Sequence, residues 1–76
     1  DGSVIASGNA AVDEIELDGR PLPALEGAQT VGRYVTARLG RLARAGDVVD
    51  LADWFALVED VRGQRVRRVR FRRKPA

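Results

Sequence analysis

Two groups of carboxylates are the residues best suited to chemistry in this 76-residue chain: Asp13, Glu14 and Glu16 near the start, and Glu59 with Asp60 near the end. Paired carboxylates can divide general-acid and general-base work when both reach the same reacting bond. Asp13 and Glu14 would project roughly 100° apart on a helix. Glu59 and Asp60 would point to opposite faces of a strand. Neither pair converges. Asp47, Asp50 and Asp53 form a third oxygen-rich group, spaced around a short strand and turn. Hard cations take six or more oxygens and are usually wrapped by a Gly-bearing loop, so three spaced carboxylates read as solvated loop residues. The chain has no cysteine and no histidine. Disulfides, thiol nucleophiles, Cys/His zinc sites and Ser-His-Asp catalysis are therefore excluded. The expectation is a non-enzymatic domain without metal or cofactor.

The other residues with chemical potential are cations. Residues 1–30 carry six acids and one base, a net of −5; residues 31–60 a net of −1; residues 61–76 a net of +8. Arg65, Arg70, Arg72, Arg73 and Lys74 form a basic stripe expected to contact an anionic surface. Pairing with the acidic first thirty residues would account for the same charges. Nucleic-acid binding is the alternative function, since basic stripes track phosphates. However, no RNP, KH or zinc-finger pattern is present. Trp54, Tyr34, Phe55 and Phe71 are the only aromatic residues, too few for a base-stacking platform. Nucleic acid is thus an improbable partner. Arg outnumbers Lys twelve to one, which reads first as genome-wide codon bias.

The elements that would position these charges are short. A hydrophobic share of 45% with 32% charged residues is globular composition. Residues 3–7 read as a strand ended by Gly8. Asn9 is a good N-cap for a short helix over about residues 10–16, with Ala11, Val12 and Ile15 on its apolar side. Asp18-Gly19 and Pro21-Leu22-Pro23 stop that helix and force extended chain. Thr30 caps a second helix with Val31, Tyr34, Val35 and Leu39 on one face, closed by Gly40. Gly32 falls inside its first turn, which implies close packing there. Three strands follow, over residues 48–51, 54–61 and 65–73, joined by connections so short that they must form an antiparallel meander. Val66, Val69 and Phe71 can share one face only if an extra residue at Arg67 or Arg68 makes a β-bulge. The predicted core is Val12, Ile15, Val31, Tyr34, Val35, Leu39, Phe55, Leu57, Val66, Val69 and Phe71. Trp54 is left between a sheet edge and a contact with the rest of a parent protein. No apolar run approaches the roughly 20 residues of a membrane span.

Read in order, these segments resemble the CorC/HlyC-type transporter-associated domain. The matching stretches are Asp1-Gly2-Ser3, Asn9 to Glu14, Leu22-Pro23, Thr30-Val31-Gly32, Tyr34-Val35, Leu39-Gly40-Arg41-Leu42 and Gly46-Asp47. Phe55-Ala56-Leu57-Val58-Glu59 and Gly63 to Arg72 complete the set. Departures are Arg33, where the family often has Gly, and Leu42-Ala43-Arg44, where it often has Pro. The segment between the first helix and Pro21 is also short. The resemblance implies an α+β fold, similar to one subdomain of FAD-binding folds. Together with the segment reading, it predicts a sheet of about four antiparallel strands with two short helices on one face, in the order β-α-α-β-β-β.

It also implies an accessory, regulatory role in a membrane-associated bacterial ion-transport protein, of the magnesium/cobalt efflux or hemolysin-like kind, with no catalytic residue to carry over. Residues 1–76 would be one such domain from the C-terminus of a larger protein, an origin consistent with a start at Asp1. Its partners would be upstream CBS and transmembrane domains of the same protein and an anionic inner-leaflet surface. The location would be the cytoplasmic side of the inner membrane.

Overall fold

The computed structural model describes residues 2–75; Asp1, which the resemblance places just before the first strand, lies outside them. A four-stranded antiparallel sheet is formed by β1 (Val4–Ser7), β4 (Val48–Leu51), β5 (Trp54–Arg62) and β6 (Arg65–Arg73). Their spatial order is β1-β6-β5-β4. β4, β5 and β6 are the expected meander, and β1 pairs with the far side of β6 through Val4–Phe71 to Ser7–Arg68. A second, two-stranded ribbon joins β2 (Glu16–Leu17) to β3 (Arg20–Pro21) across Asp18-Gly19. One α-helix, α1 (Val31–Leu39), packs on the sheet.

α1 is built as its sequence dictates. The Thr30 side chain accepts the Arg33 N–H at 3.3 Å, satisfying one of the orphan donors of the first turn. Gly40 closes the helix at φ 75°, a left-handed conformation that costs a β-carbon-bearing residue about 1–2 kcal/mol. Val31, Tyr34 and Val35 are fully buried. The Tyr34 hydroxyl donates to the Pro23 carbonyl at 2.7 Å, tying the Pro21-Leu22-Pro23 segment to the helix. Burial pushes the phenol above its ordinary pKa. Tyr34→Phe keeps the ring and removes this tie, so a loss of about 1 kcal/mol in a urea titration is expected.

The predicted helix over residues 10–16 is not formed. Its place is taken by a single 3-10 turn, Val12–Glu14, whose cap position is Ala11 and has no side-chain bond. Among the described residues there is therefore one α-helix, not two. Seven residues gain little from helical hydrogen bonding before the nucleation cost is met. Tertiary pairing offers more here: Val12 N–H bonds to the Gln29 carbonyl and Val31 N–H to the Ala10 carbonyl, both at 2.9 Å. Asn9 is exposed, and its own N–H donates to the Ser7 hydroxyl.

The core face of β5 is also the reverse of the expected one. Trp54, Ala56 and Val58 are buried, while Phe55 and Leu57 are only half-buried on the opposite face. β5 is apolar on both faces, so its own alternation is ambiguous. Its partner decides: Ala56 lies opposite Phe71 and Val58 opposite Val69, and directly opposed residues share a face. Val12 and Leu39, also assigned to the core, are half-buried at its margin.

Val66, Val69 and Phe71 do share the core face. The register shifts on both sides of the Asp60–Arg68 pair, between Val58–Val69 and Val61–Val66. The irregularity is matched, with an extra residue in each strand, so overall register is preserved beyond it. It carries Val66 over Gly8 and Gly32, where three backbones meet. Gly8 N–H bonds to the Arg67 carbonyl and Gly32 N–H to the Gly8 carbonyl, each at 2.9 Å. The close packing inferred for Gly32 is this junction.

Candidate functional site

The basic stripe divides into three parts once folded. Arg70, Arg72 and Lys74 alternate along the sheet face away from α1, because the intervening Val69 and Phe71 are inward. Arg73 lies on the other side, with its guanidinium 5.0 Å above the Trp54 ring and ion-paired to Asp18. Arg65 sits at the β5–β6 hairpin, beside Arg62. The five residues grouped by sequence thus do not form one surface.

Trp54 is neither a loose edge nor an exposed contact. It is buried, and its indole N–H donates to Asp18 at 3.2 Å. Asp18 therefore receives both Trp54 and Arg73, fastening the β2–β3 ribbon to the sheet. Among the described residues this is the ion pair that joins the acidic first third to the basic end. Three other cations near the C-terminus pair with carboxylates of the meander: Glu59 holds Arg70 at 2.6 Å and Arg68 at 3.0 Å, and Asp50 holds Lys74 at 2.8 Å. Arg41 and Asp47 make a fifth pair, bidentate at 2.8 and 3.0 Å.

Each of these carboxylates is held below its ordinary pKa by its cation. Arg73 hydrogen bonding is the main cause at Asp18, Arg70 at Glu59, Arg41 at Asp47 and Lys74 at Asp50. A depressed carboxyl pKa contributes stability above the unfolded value that is lost as pH falls through the folded one. The thermal midpoint is therefore expected to be flat from neutral pH down to about 5 and to fall progressively below about 4. Added salt should shrink the fall, since these pairs are solvent-exposed. A midpoint unchanged across the acid range would contradict the pairing.

Asp47, Asp50 and Asp53 do not gather into a cation site. Among the described residues no group of three or more His, Cys, Asp or Glu side chains could hold a metal. Glu59 is committed to two arginines, while Asp60 lies exposed in the irregular step of β5.

What the sheet leaves open is its outer face. Along one row Ile5, Arg70, Leu57 and Val48 face one another across all four strands; along the next, Arg72, Phe55 and Asp50 do so. Ile5 is 53% exposed and Val48 52%. Phe55 and Leu57 lie half-covered between the arginines. Arg72 has no ion pair among the described residues. An apolar row interleaved with guanidinium groups is the composition of a contact surface, since arginine stems and aromatic rings bury well while their polar ends still find partners. Sequence reasoning identified Arg70 and Arg72 but missed Ile5, Val48, Phe55 and Leu57, the last two because they were assigned to the core. The apolar character of both faces of residues 54–58 was the available signal.

Comparison with known proteins agrees with this architecture. No curated protein matches the chain. A CorC_HlyC domain from Haemophilus ducreyi shares 16% identity and superposes with a TM-score of 0.82, covering 97% of this chain and 90% of that one. A CorC_HlyC domain from a Xylella fastidiosa Temecula1 hemolysin, in complex with Mg++ and Mn++, shares 24% identity with a TM-score of 0.80 and the same coverage. A hemolysin domain from Enterococcus faecalis V583 gives 16% identity and a TM-score of 0.83, again over 97% and 90%. At these identities the likeness is one of fold. The sequence profile CorC_HlyC, described as a transporter-associated domain, matches residues 1–75, and the chain belongs to that family.

Proposed function

We propose that this domain is a non-catalytic accessory module of a membrane-associated bacterial ion-transport protein, of the magnesium/cobalt efflux or hemolysin-like kind. It works on the cytoplasmic side by docking its outer sheet face against the rest of that protein. The family supports an accessory role in transport. The observation that carries the docking is the open face, where Ile5, Val48, Phe55 and Leu57 lie uncovered or half-covered among Arg70 and Arg72. The partners are upstream CBS and transmembrane domains of the same polypeptide. Contact changes the balance between their states, and no bond is made or broken by this domain.

The test is ion flux through the intact protein carrying Phe55→Asp or Arg72→Glu, with folding checked by circular dichroism. Both positions lie outside the core, so the domain should stay folded while the response of flux to its regulatory signal is lost. Folded variants with an unaltered response would reject the proposal.

The same face offers Arg70, Arg72 and Lys74 to an anionic inner leaflet. Near such a membrane each cation is worth about 1 kcal/mol, screened within a Debye length. In sedimentation with vesicles of rising anionic lipid content, neutralising these three residues is expected to abolish most binding by the isolated domain. Equal sedimentation of both forms, or of neither, would confine the face to protein contacts.

A further inference from the structure

The third part of the divided stripe lies in a cleft. The first turns of α1 and the β5–β6 hairpin flank an open groove of about 860 Å³ whose lining includes Arg33, Arg62 and Arg65, with Glu26 the only acid on its wall. That volume falls in the range of small-ligand sites, about 300–1,000 Å³.

Among the described residues the three arginines are not neutralised by a carboxylate, unlike the four arginines that form ion pairs. Arg41, Arg68, Arg70 and Arg73 each meet a carboxylate. Arg33, Arg62 and Arg65 have no ion pair among the described residues. Arg62 and Arg65 are also the last cross-strand pair of the hairpin, and like charges directly opposite each other destabilise a sheet. Arg33 approaches the same groove from the helix. The repulsion is left standing at a cleft whose wall carries three cations and one acid, an excess of positive charge that attracts anions.

The glycines on the wall do not point to a ligand: Gly8 and Gly32 are required by backbone packing and Gly27 by its left-handed φ. Nor does the helix start. Val31, Gly32 and Arg33 N–H groups are already taken by the Ala10 carbonyl, the Gly8 carbonyl and the Thr30 hydroxyl. Recognition would rest on the guanidinium groups, whose planar forks match phosphate oxygens. No aromatic ring lines the cleft, so nothing there would stack a nucleobase.

We propose that this cleft binds a small, soluble phosphorylated polyanion of the pyrophosphate class, held by Arg33, Arg62 and Arg65. The inference is independent of the docking role, because it uses a different surface and different residues.

The test is titration of the 76-residue chain with pyrophosphate at low salt, followed by backbone amide shifts. Saturable shifts at Gly32, Arg33 and Gln64 are expected at millimolar concentration or below. Arg33→Gln with Arg65→Gln should weaken binding at least about tenfold, and Glu26→Gln should tighten it by removing the opposing charge. Arg44→Gln, outside the cleft, should leave it unchanged. No saturation up to about 10 mM, shifts centred elsewhere, or equal binding by the double variant would overturn the proposal. So would binding of phosphatidic acid vesicles through Arg33 and Arg65 when pyrophosphate fails to bind, since the proposed ligand is soluble.

Discussion

Gly8→Ala is expected to cost at least about 3 kcal/mol, the upper part of the usual range for overpacking. A β-carbon on Gly8 would lie 1.8 Å from the Val66 carbonyl oxygen and 2.7 Å from its carbon. Both are backbone atoms of β6, so no rotamer change can clear them. Gly8 cannot retreat either, because its N–H is held by Arg67 and its carbonyl by Gly32. The sheet and helix must part at the junction. For a chain of 76 residues, total stability of order 4–11 kcal/mol is usual, so the loss would consume much of it. Gly32→Ala provides the comparison. There the added carbon would lie 3.1 Å from the Gly8 oxygen and 3.3 Å from the Val66 β-carbon. Crowding is then largely offset by about 1 kcal/mol of regained helix propensity. Denaturant midpoints should fall sharply for the first variant and move little for the second. A Gly8→Ala protein as stable as the parent would mean that β1 and β6 do not meet there.

Phe71→Ala should cost about 3–5 kcal/mol, because the ring is fully buried between β1 and β5 and beneath the helix layer. Leu57→Ala, on the outer face, should cost only about 1 kcal/mol. Reading β5 with Phe55 and Leu57 inward would make the two losses similar. Urea titrations of both variants separate the alternatives: a large loss at Leu57 would mean that the outer face is covered within the domain itself.

The parts of the fold legible in the sequence are those governed by local chemistry. Thr30 and Gly40 bracket a helix because a hydroxyl cap and a left-handed glycine serve its ends. The meander follows from connections too short for any other pairing. The matched irregularity around Asp60 and Arg68 could be seen in β6 because Val66, Val69 and Phe71 break strict alternation. What stayed hidden was settled by contacts between distant segments. The turn at Val12–Glu14 is set by Gln29 and Ala10 reaching across to a neighbouring strand-like bridge, against the local helical pattern. The inward face of β5 is set by β6. Trp54 found its partners in Asp18 and Arg73, 36 residues before it and across the sheet. The basic stripe was visible as charge, but its division followed from strand alternation and the hairpin, and the apolar half of the outer surface emerged only once the core face of β5 was fixed.

In the proposed function, the outer sheet face is the surface this domain presents to the rest of its protein. Hydroxyl-radical footprinting tests it directly, comparing the isolated domain with the intact protein in its membrane. Ile5, Val48, Phe55 and Leu57 should react readily in the isolated domain and become protected in the intact protein. Leu42, 53% exposed and outside the strands of the sheet, serves as the internal reference and should react equally in both. Equal reactivity of Phe55 and Leu57 in the two forms would contradict the claim.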